Sequence, residues 1–153
     1  MCEKKISLDL YSLTNLISRH IENLNNFQYV DSITGTNSWI IAYIAKNKDK
    51  DIFQRDLEKR FSLTRSTISR VVKLMEQKGL IERISVSYDA RLKKLVLTSK
   101  ALDLHQAIEE DIKDLENILI HGFKEDEIRE IFSYISRMKS NIIKHSNQRM
   151  DFK

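Results

Sequence analysis

The side chains of this 153-residue chain best placed to do chemistry are hydrogen-bond donors on one side of a helix, not nucleophiles or metal ligands. Between Thr64 and Gln77, the residues Ser66, Ser69, Arg70, Lys73 and Gln77 share a face that contains no acid. Ile68, Val71, Val72 and Met75 fall at i, i+3, i+4 and i+7 and share the other. An arginine on such a face can pair with guanine O6 and N7 together, a contact that discriminates between bases by roughly 1–3 kcal/mol. Ser66, Thr67 and Ser69 are short enough for the helix to sit deep in a groove and to meet bases or phosphates. Arg65, at the helix start, suits a phosphate, and Thr64 is the expected N-cap. Double-stranded DNA is therefore the expected partner. The plainer alternative is a solvated basic surface, and the neighbouring sequence decides against it.

Gly79 closes the helix, being free to adopt a positive φ. Beyond it Ile84 and Val86, then Leu95 and Leu97, alternate with period two around the polar span Ser87 to Arg91. That pattern reads as a two-stranded ribbon with a charged tip. From Thr64 to Lys100 there are nine Lys/Arg against three Asp/Glu, a local charge of +6 in a chain carrying +4, which leaves −2 for the rest. Positive charge gathered into one segment is the footprint of a surface that meets a polyanion. Arg91 is the candidate for a narrow minor groove, where negative potential is concentrated. Asp89 is expected to pair with Arg91 and hold the tip in shape. Lys93, Lys94, Gln54 and Arg55 are lesser candidates for the DNA backbone.

These residues need elements to carry them. Leu10, Leu13, Ile17, Ile21 and Leu24 recur at spacings of three or four, which predicts a helix from Ser7 to about Phe27. A break over Gln28 to Thr36 precedes a short helix, Asn37 to Lys46, burying Trp39 or Ile40 with Tyr43 and Ile44. After the loop Asn47 to Asp51, Ile52 to Arg60 is expected to be helical, with Phe53 and Leu57 inward. Four residues then lead to the basic helix, so the pair forms a helix-turn-helix. His105, Ile108, Ile112, Leu115 and Leu119 step by 3, 4, 3, 4, as do Ile128, Ile131, Ile135, Met138 and Ile142, with Gly122 between the two runs. Such spacing predicts a coiled-coil-like seam. Residues 101 to 145 hold ten acids against six bases, so this part should avoid DNA. Its stripe (Ile128, Ile131, Ile135, Met138, Ile142), with Leu10, Leu13 and Ile17, is expected to meet a second copy of the chain.

The expected fold is mainly α with a small antiparallel β wing: one domain over 1–153, with a winged helix-turn-helix lobe at 36–99 and a helical dimerisation lobe from 5–35 and 100–147. Three glycines and no proline argue against a sandwich or barrel. No apolar run approaches the ~18 residues of a membrane span, and MCEKKISLDL lacks a signal-peptide core, so a cytoplasmic protein without membrane contact is expected. Cys2, beside the start methionine, is a poor redox sensor. His20, His105, His121 and His145 form no H-x-x-x-H pair; His105 with Glu109 is the tidiest ligand couple, and no metal or cofactor is expected. No phosphate loop or nucleophile–base pair can be placed, so an enzyme is not expected. Tyr11, His20, Trp39 and Tyr43 could line a crevice between the first two helices, although aromatics at this spacing more often form plain core.

Asp89-Ala-Arg91, then five residues, then Leu97-Thr98 resembles the D-x-R-x5-L-T wing signature of MarR-family transcriptional regulators. The Gly79-Leu80-Ile81-x-Arg83 exit, the helix-turn-helix and the flanking helices are similar to that family in the same order. One departure is Ala101, where the family often has glycine. The resemblance implies a winged-helix homodimer on a pseudo-palindromic operator, usually a repressor, with recognition helices in successive major grooves and wings in the flanking minor grooves. It also implies that a small aromatic effector, met near Tyr11, His20, Trp39 and Tyr43, could release the DNA. The alternatives are a winged-helix protein-interaction module, which would need an apolar recognition face, and a metal-responsive member of the same family.

Overall fold

The computed structural model describes residues 4–23 and 35–150, with the side chains of 147–150 left aside. Among these residues the chain runs α1 (Ile6–Glu22), α2 (Gly35–Lys46), α3 (Gln54–Phe61), α4 (Arg65–Gln77), β1 (Ile81–Val86), β2 (Asp89–Leu97), α5 (Ser99–Leu119) and α6 (Glu125–Met150). It falls into two compact units, Met1–Lys113 and Asp114–Lys153. The fold is mainly α with one two-stranded antiparallel sheet.

In the first unit the apolar stripes meet in a single core. Ile40, Ile41 and Ile44 from α2, Leu57 from α3 and Ile68, Val72 and Met75 from α4 are buried there with Leu80, Ile81, Leu95 and Leu97 of the wing. Of the two alternatives in α2, Ile40 is the fully buried one and Trp39 is half-buried. Ala101 and Ile108 of α5 join the same core, so at position 101 an alanine methyl is packed where the resemblance would put glycine. Tyr43 lies edge-on to Phe61, with ring centroids 5.9 Å apart.

The loop into α3 departs from expectation. Ile52 and Phe53 are extended, not helical: Leu95 N–H donates to the Ile52 carbonyl at 2.7 Å, and Phe53 makes a bridge to Lys94. A helix pattern placed Phe53 and Leu57 together, but the sheet edge claims Phe53 first. Phe53 N–H then donates to the Asp56 carboxylate at 2.8 Å, which fixes the entry to α3. At the other end Ser62 takes a left-handed φ of 53°, the bend that turns the chain from α3 towards α4.

Leu80 N–H donates to Met75 O at 2.9 Å and Gly79 N–H to Glu76 O at 3.0 Å, a Schellman closure of α4 with Gly79 at φ 69°. The wing pairs Ile81 with Leu97 through Ser85 with Lys93, then shifts register so that Val86 pairs with Asp89. The unpaired residues, Ala90 to Leu92, all fall in β2. Val86 is buried while Ile84 is 41% exposed, so the two do not share the burial that their spacing suggests. Strand β2 also begins at Asp89, inside the span read as the tip. At its far end Thr98 donates its hydroxyl to Gly79 O at 2.6 Å and accepts Ala101 N–H at 3.3 Å. One side chain thus ties the wing's exit to its entrance and caps α5.

Helix α1 ends at Glu22; Leu24, Phe27 and the break over Gln28 to Thr36 lie wholly or mostly outside the described residues, as does Cys2. It touches α2, and Ile21 is its buried residue. In the second unit Gly122, at φ 84°, separates α5 from α6 as expected. Along α6, Ile128 and Met138 are half-buried while Ile131, Ile135 and Ile142 are exposed. No described helix is long and apolar enough to cross a membrane.

Candidate nucleic-acid interface

Helix α4 has a buried apolar stripe and an exposed polar one, with Leu74, 44% exposed, beside the polar stripe. Ile68, Val72 and Met75 are fully buried, whereas Ser66, Ser69, Arg70, Lys73 and Gln77 are all exposed. The inner stripe anchors the helix, so the outer stripe is presented at a fixed orientation. Its start is built from hydroxyls. Thr67 N–H donates to Thr64 Oγ at 3.3 Å, and the Thr64 hydroxyl lies 2.9 Å from that of Thr67 and 3.1 Å from that of Ser66. No acid stands in the first turn to offset the partial positive charge of the helix end. Arg65, Arg70 and Lys73 are exposed, and among the described residues none of the three is ion-paired.

Arg91 is likewise exposed and, among the described residues, makes no ion pair. Asp89 does not reach its guanidinium. It accepts the Arg91 backbone N–H at 2.9 Å instead, which shapes the tip and leaves the cation outward. Lys93 is exposed and donates to the Ser85 hydroxyl across the ribbon. Lys94, expected to face a phosphate, holds Asp51 at 2.9 Å. Gln54 donates to Glu58 at 3.4 Å, and the Arg55 guanidinium lies over the Phe53 ring at 5.2 Å. Lys94 is thus committed to the protein in a way Arg70, Lys73 and Arg91 are not.

Sequence reasoning missed Asp51, Tyr88 and the Glu76–Arg83 pair. Glu76 and Arg83, 3.3 Å apart, join the end of α4 to β1. Asp51 takes Lys94 on one oxygen and the Tyr88 hydroxyl, at 3.1 Å, on the other. The Lys94 hydrogen bond is the main reason the Asp51 carboxyl is held below its ordinary value of 3.8. Partial desolvation first, and the bond to Asp51 second, push the Tyr88 phenol above 10.0. A tyrosine in an otherwise polar turn was the available signal. Asp51 gave none, because it reads as one more loop acid.

The other candidates are less coherent. Tyr11 is exposed, Tyr43 faces Phe61, and His20 and Trp39 are half-buried. A cavity of about 560 Å³ opens elsewhere, between the end of α2, β2 and the start of α5, and none of the four lines it. His105 pairs with Glu109 at 3.6 Å, and among the described residues no group of three or more His, Cys, Asp or Glu could hold a metal.

The model of the MarR family matches residues 31–92. The chain is 30% identical to the transcription regulator MarR from Oenococcus oeni PSU-1 and superposes on its crystal structure with a TM-score of 0.80, covering 89% of this chain and 99% of that one. The Staphylococcus aureus MepR–DNA complex matches at 22% identity and TM-score 0.79, over 91% of this chain and 99% of MepR. A putative MarR-family transcriptional regulator from Listeria monocytogenes, complexed with a 26mer DNA, matches at 24% identity and TM-score 0.77, over 92% and 90%. The last two likenesses are of fold.

Proposed function

The chain belongs to the MarR family of transcription regulators, and from that we propose that it binds double-stranded DNA sequence-specifically as a homodimer and represses transcription from a pseudo-palindromic operator. The observation that carries this reading is the outward face of α4: Ser66, Ser69, Arg70, Lys73 and Gln77 exposed with no acid among them, opposite a fully buried stripe. A protein-docking module would show an apolar face there. Instead the face carries one guanidinium, one ammonium, two hydroxyls and an amide, a set that hydrogen-bonds base edges and phosphates. That two solved relatives of this fold hold DNA supports the same reading.

Thr64, Arg65, Ser66, Thr67, Ser69, Arg70 and Lys73 face the major groove in this proposal, Arg91 enters the flanking minor groove from a tip shaped by Asp89, and Lys93 meets the DNA backbone. Residues 36–99 form the reading lobe, while 5–35 and 100–147 join two copies. Leu10, Leu13, Ile131, Ile135 and Ile142, all exposed, supply apolar surface for that contact, with Ile17, Ile128 and Met138 half-buried beside them. Release by a small effector belongs to the same proposal, and the 560 Å³ cavity is within the roughly 300–1,000 Å³ that ligand sites occupy. The test is selection of bound duplexes from a random library. Recovery of an inverted repeat, with affinity falling at a log–log salt slope near −0.9 per phosphate neutralised, is the expected result. Recovery of no preferred sequence sinks the proposal.

A further inference from the structure

One carboxylate ties both flanks of the wing's tip to the loop before α3. Asp51, in the loop between α2 and α3, accepts Lys94 Nζ at 2.9 Å on Oδ1 and the Tyr88 hydroxyl at 3.1 Å on Oδ2. Tyr88 lies in the turn that joins the two strands, and Lys94 lies three residues beyond Arg91. The two contacts therefore bracket the tip arginine on both sides. Beside them the Leu95 N–H bond to Ile52 O and the Phe53–Lys94 bridge fix the base of β2 to the same loop.

In the outer half of the ribbon, Val86 is buried and Lys93 donates to Ser85 across the strands, but neither contact reaches the tip residues Ala90 to Leu92. A two-stranded hairpin is marginal by itself in water and takes its orientation from what it leans on. The cavity lined by Ile44, Asn47, Lys48, Leu97, Leu102 and His105 leaves space behind β2, and Asp51 and Lys94 stand on its wall. Beyond Ser85–Lys93 the register shift breaks the ladder, so Ala90, Arg91 and Leu92 have no cross-strand partners. Packing thus secures Leu95 and Leu97 at the base and Val86 at the end of β1, while the tip beyond Val86 is held to the loop by polar contacts.

We propose that Asp51 is a positioning residue for DNA binding: by clasping Tyr88 and Lys94 it aims the wing and so sets where Arg91 is delivered. The proposal rests on reading the wing as a DNA contact, and Asp51 itself touches no DNA. Its carboxylate also withdraws Lys94 from the cationic surface, which spends one positive charge to orient another.

The experiment uses the full chain and has two arms. Without DNA, residual dipolar couplings of the amides of residues 86–93 are compared with those of α4 in wild type, Asp51→Asn and Tyr88→Phe. Couplings at the tip should change or average down in both variants while those of α4 stay put, and unchanged tip couplings overturn the proposal. With DNA, Arg91→Ala is measured in the wild-type and Asp51→Asn backgrounds on the duplex recovered by selection. A several-fold loss from Arg91→Ala in wild type should shrink towards none in Asp51→Asn, and Asp51→Glu should restore part of it. Equal losses in both backgrounds would mean that the two residues act independently, against the proposal. If no duplex is selected at all, the DNA reading fails, while the couplings alone still decide whether Asp51 aims the wing.

Discussion

Asp51 and Lys94 stand 43 positions apart in sequence and 2.9 Å apart in space, joining the loop before the helix-turn-helix to the second strand of the wing. That pairing has a pH signature. The Lys94 bond holds the Asp51 carboxyl below 3.8, so in the folded protein it stays ionised to lower pH than in the unfolded chain. A depressed carboxyl stabilises the fold above its unfolded value and loses that contribution as pH falls through the folded one. The difference in urea midpoint between wild type and Asp51→Asn should therefore be full above pH 3.8 and close as the pH drops below it. Tyr88 has the opposite sign. Raised above 10.0, its phenol supports the fold below that pH and gives up its share as pH climbs beyond. A Tyr88→Phe variant whose alkaline limb matched wild type would remove Tyr88 from the clasp.

The junction between the basic helix and the wing depends on a residue without a side chain. Gly79 sits at φ 69°, and a Cβ there would meet nothing within 4 Å. The cost of Gly79→Ala is then the backbone's alone, about 1–2 kcal/mol. In a chain of this size each kcal/mol lowers Tm by roughly 2–4 °C. A calorimetric scan should show that loss. An unchanged Tm would mean that the left-handed turn is not retained.

The helices were legible in the sequence because their burial follows local periodicity. Ile68, Val72 and Met75 come at helical spacing and are buried together. Gly79 and Gly122 each take the positive φ that their position at a helix end suggests. The wing's location was legible too, from the period-two alternation. What stayed hidden was set by distant partners. Phe53 looks helical beside Leu57, but Lys94 draws it into the sheet. Ile84 and Val86 look like an equally buried pair, but only Val86, beyond the register shift after Ser85, is buried. Asp51 is an ordinary loop acid until Lys94 and Tyr88 arrive from the wing, and Lys94 is an ordinary basic residue until Asp51 claims it.

On the proposed DNA face, Arg70 and Arg65 should behave differently although both are exposed cations on α4. Arg70 stands in mid-helix, where a groove-seated helix meets base edges, and Arg65 stands at the first turn beside the hydroxyl cluster. Arg70→Ala should weaken binding and relax preference at one base pair per half-site, by roughly 1–3 kcal/mol of lost discrimination. Arg65→Ala should weaken all duplexes alike and reduce the salt slope by about one phosphate. Repeating the selection with each variant separates the two. An unaltered preference in Arg70→Ala would take that side chain off the bases.

The apolar stripe of α6 gives the last prediction. Ile142 is 68% exposed and Ile135 41%, so in one chain a charge at either position meets water and should leave the fold almost untouched. Between two copies the same charge would be buried without a partner, which is far more costly. Ile135→Asp or Ile142→Asp should therefore keep the helical circular dichroism of wild type while shifting the sedimentation coefficient from dimer towards monomer. DNA affinity should fall with it, although α4 and the wing are unaltered, because a dimer spans half-sites about 34 Å apart and a monomer engages only one. The separation of effects matters, since a mere loss of folding would lower the dichroism as well. If wild type itself sediments as a monomer at micromolar concentration, the stripe does not join two copies, and the two-half-site geometry has no physical basis in this chain.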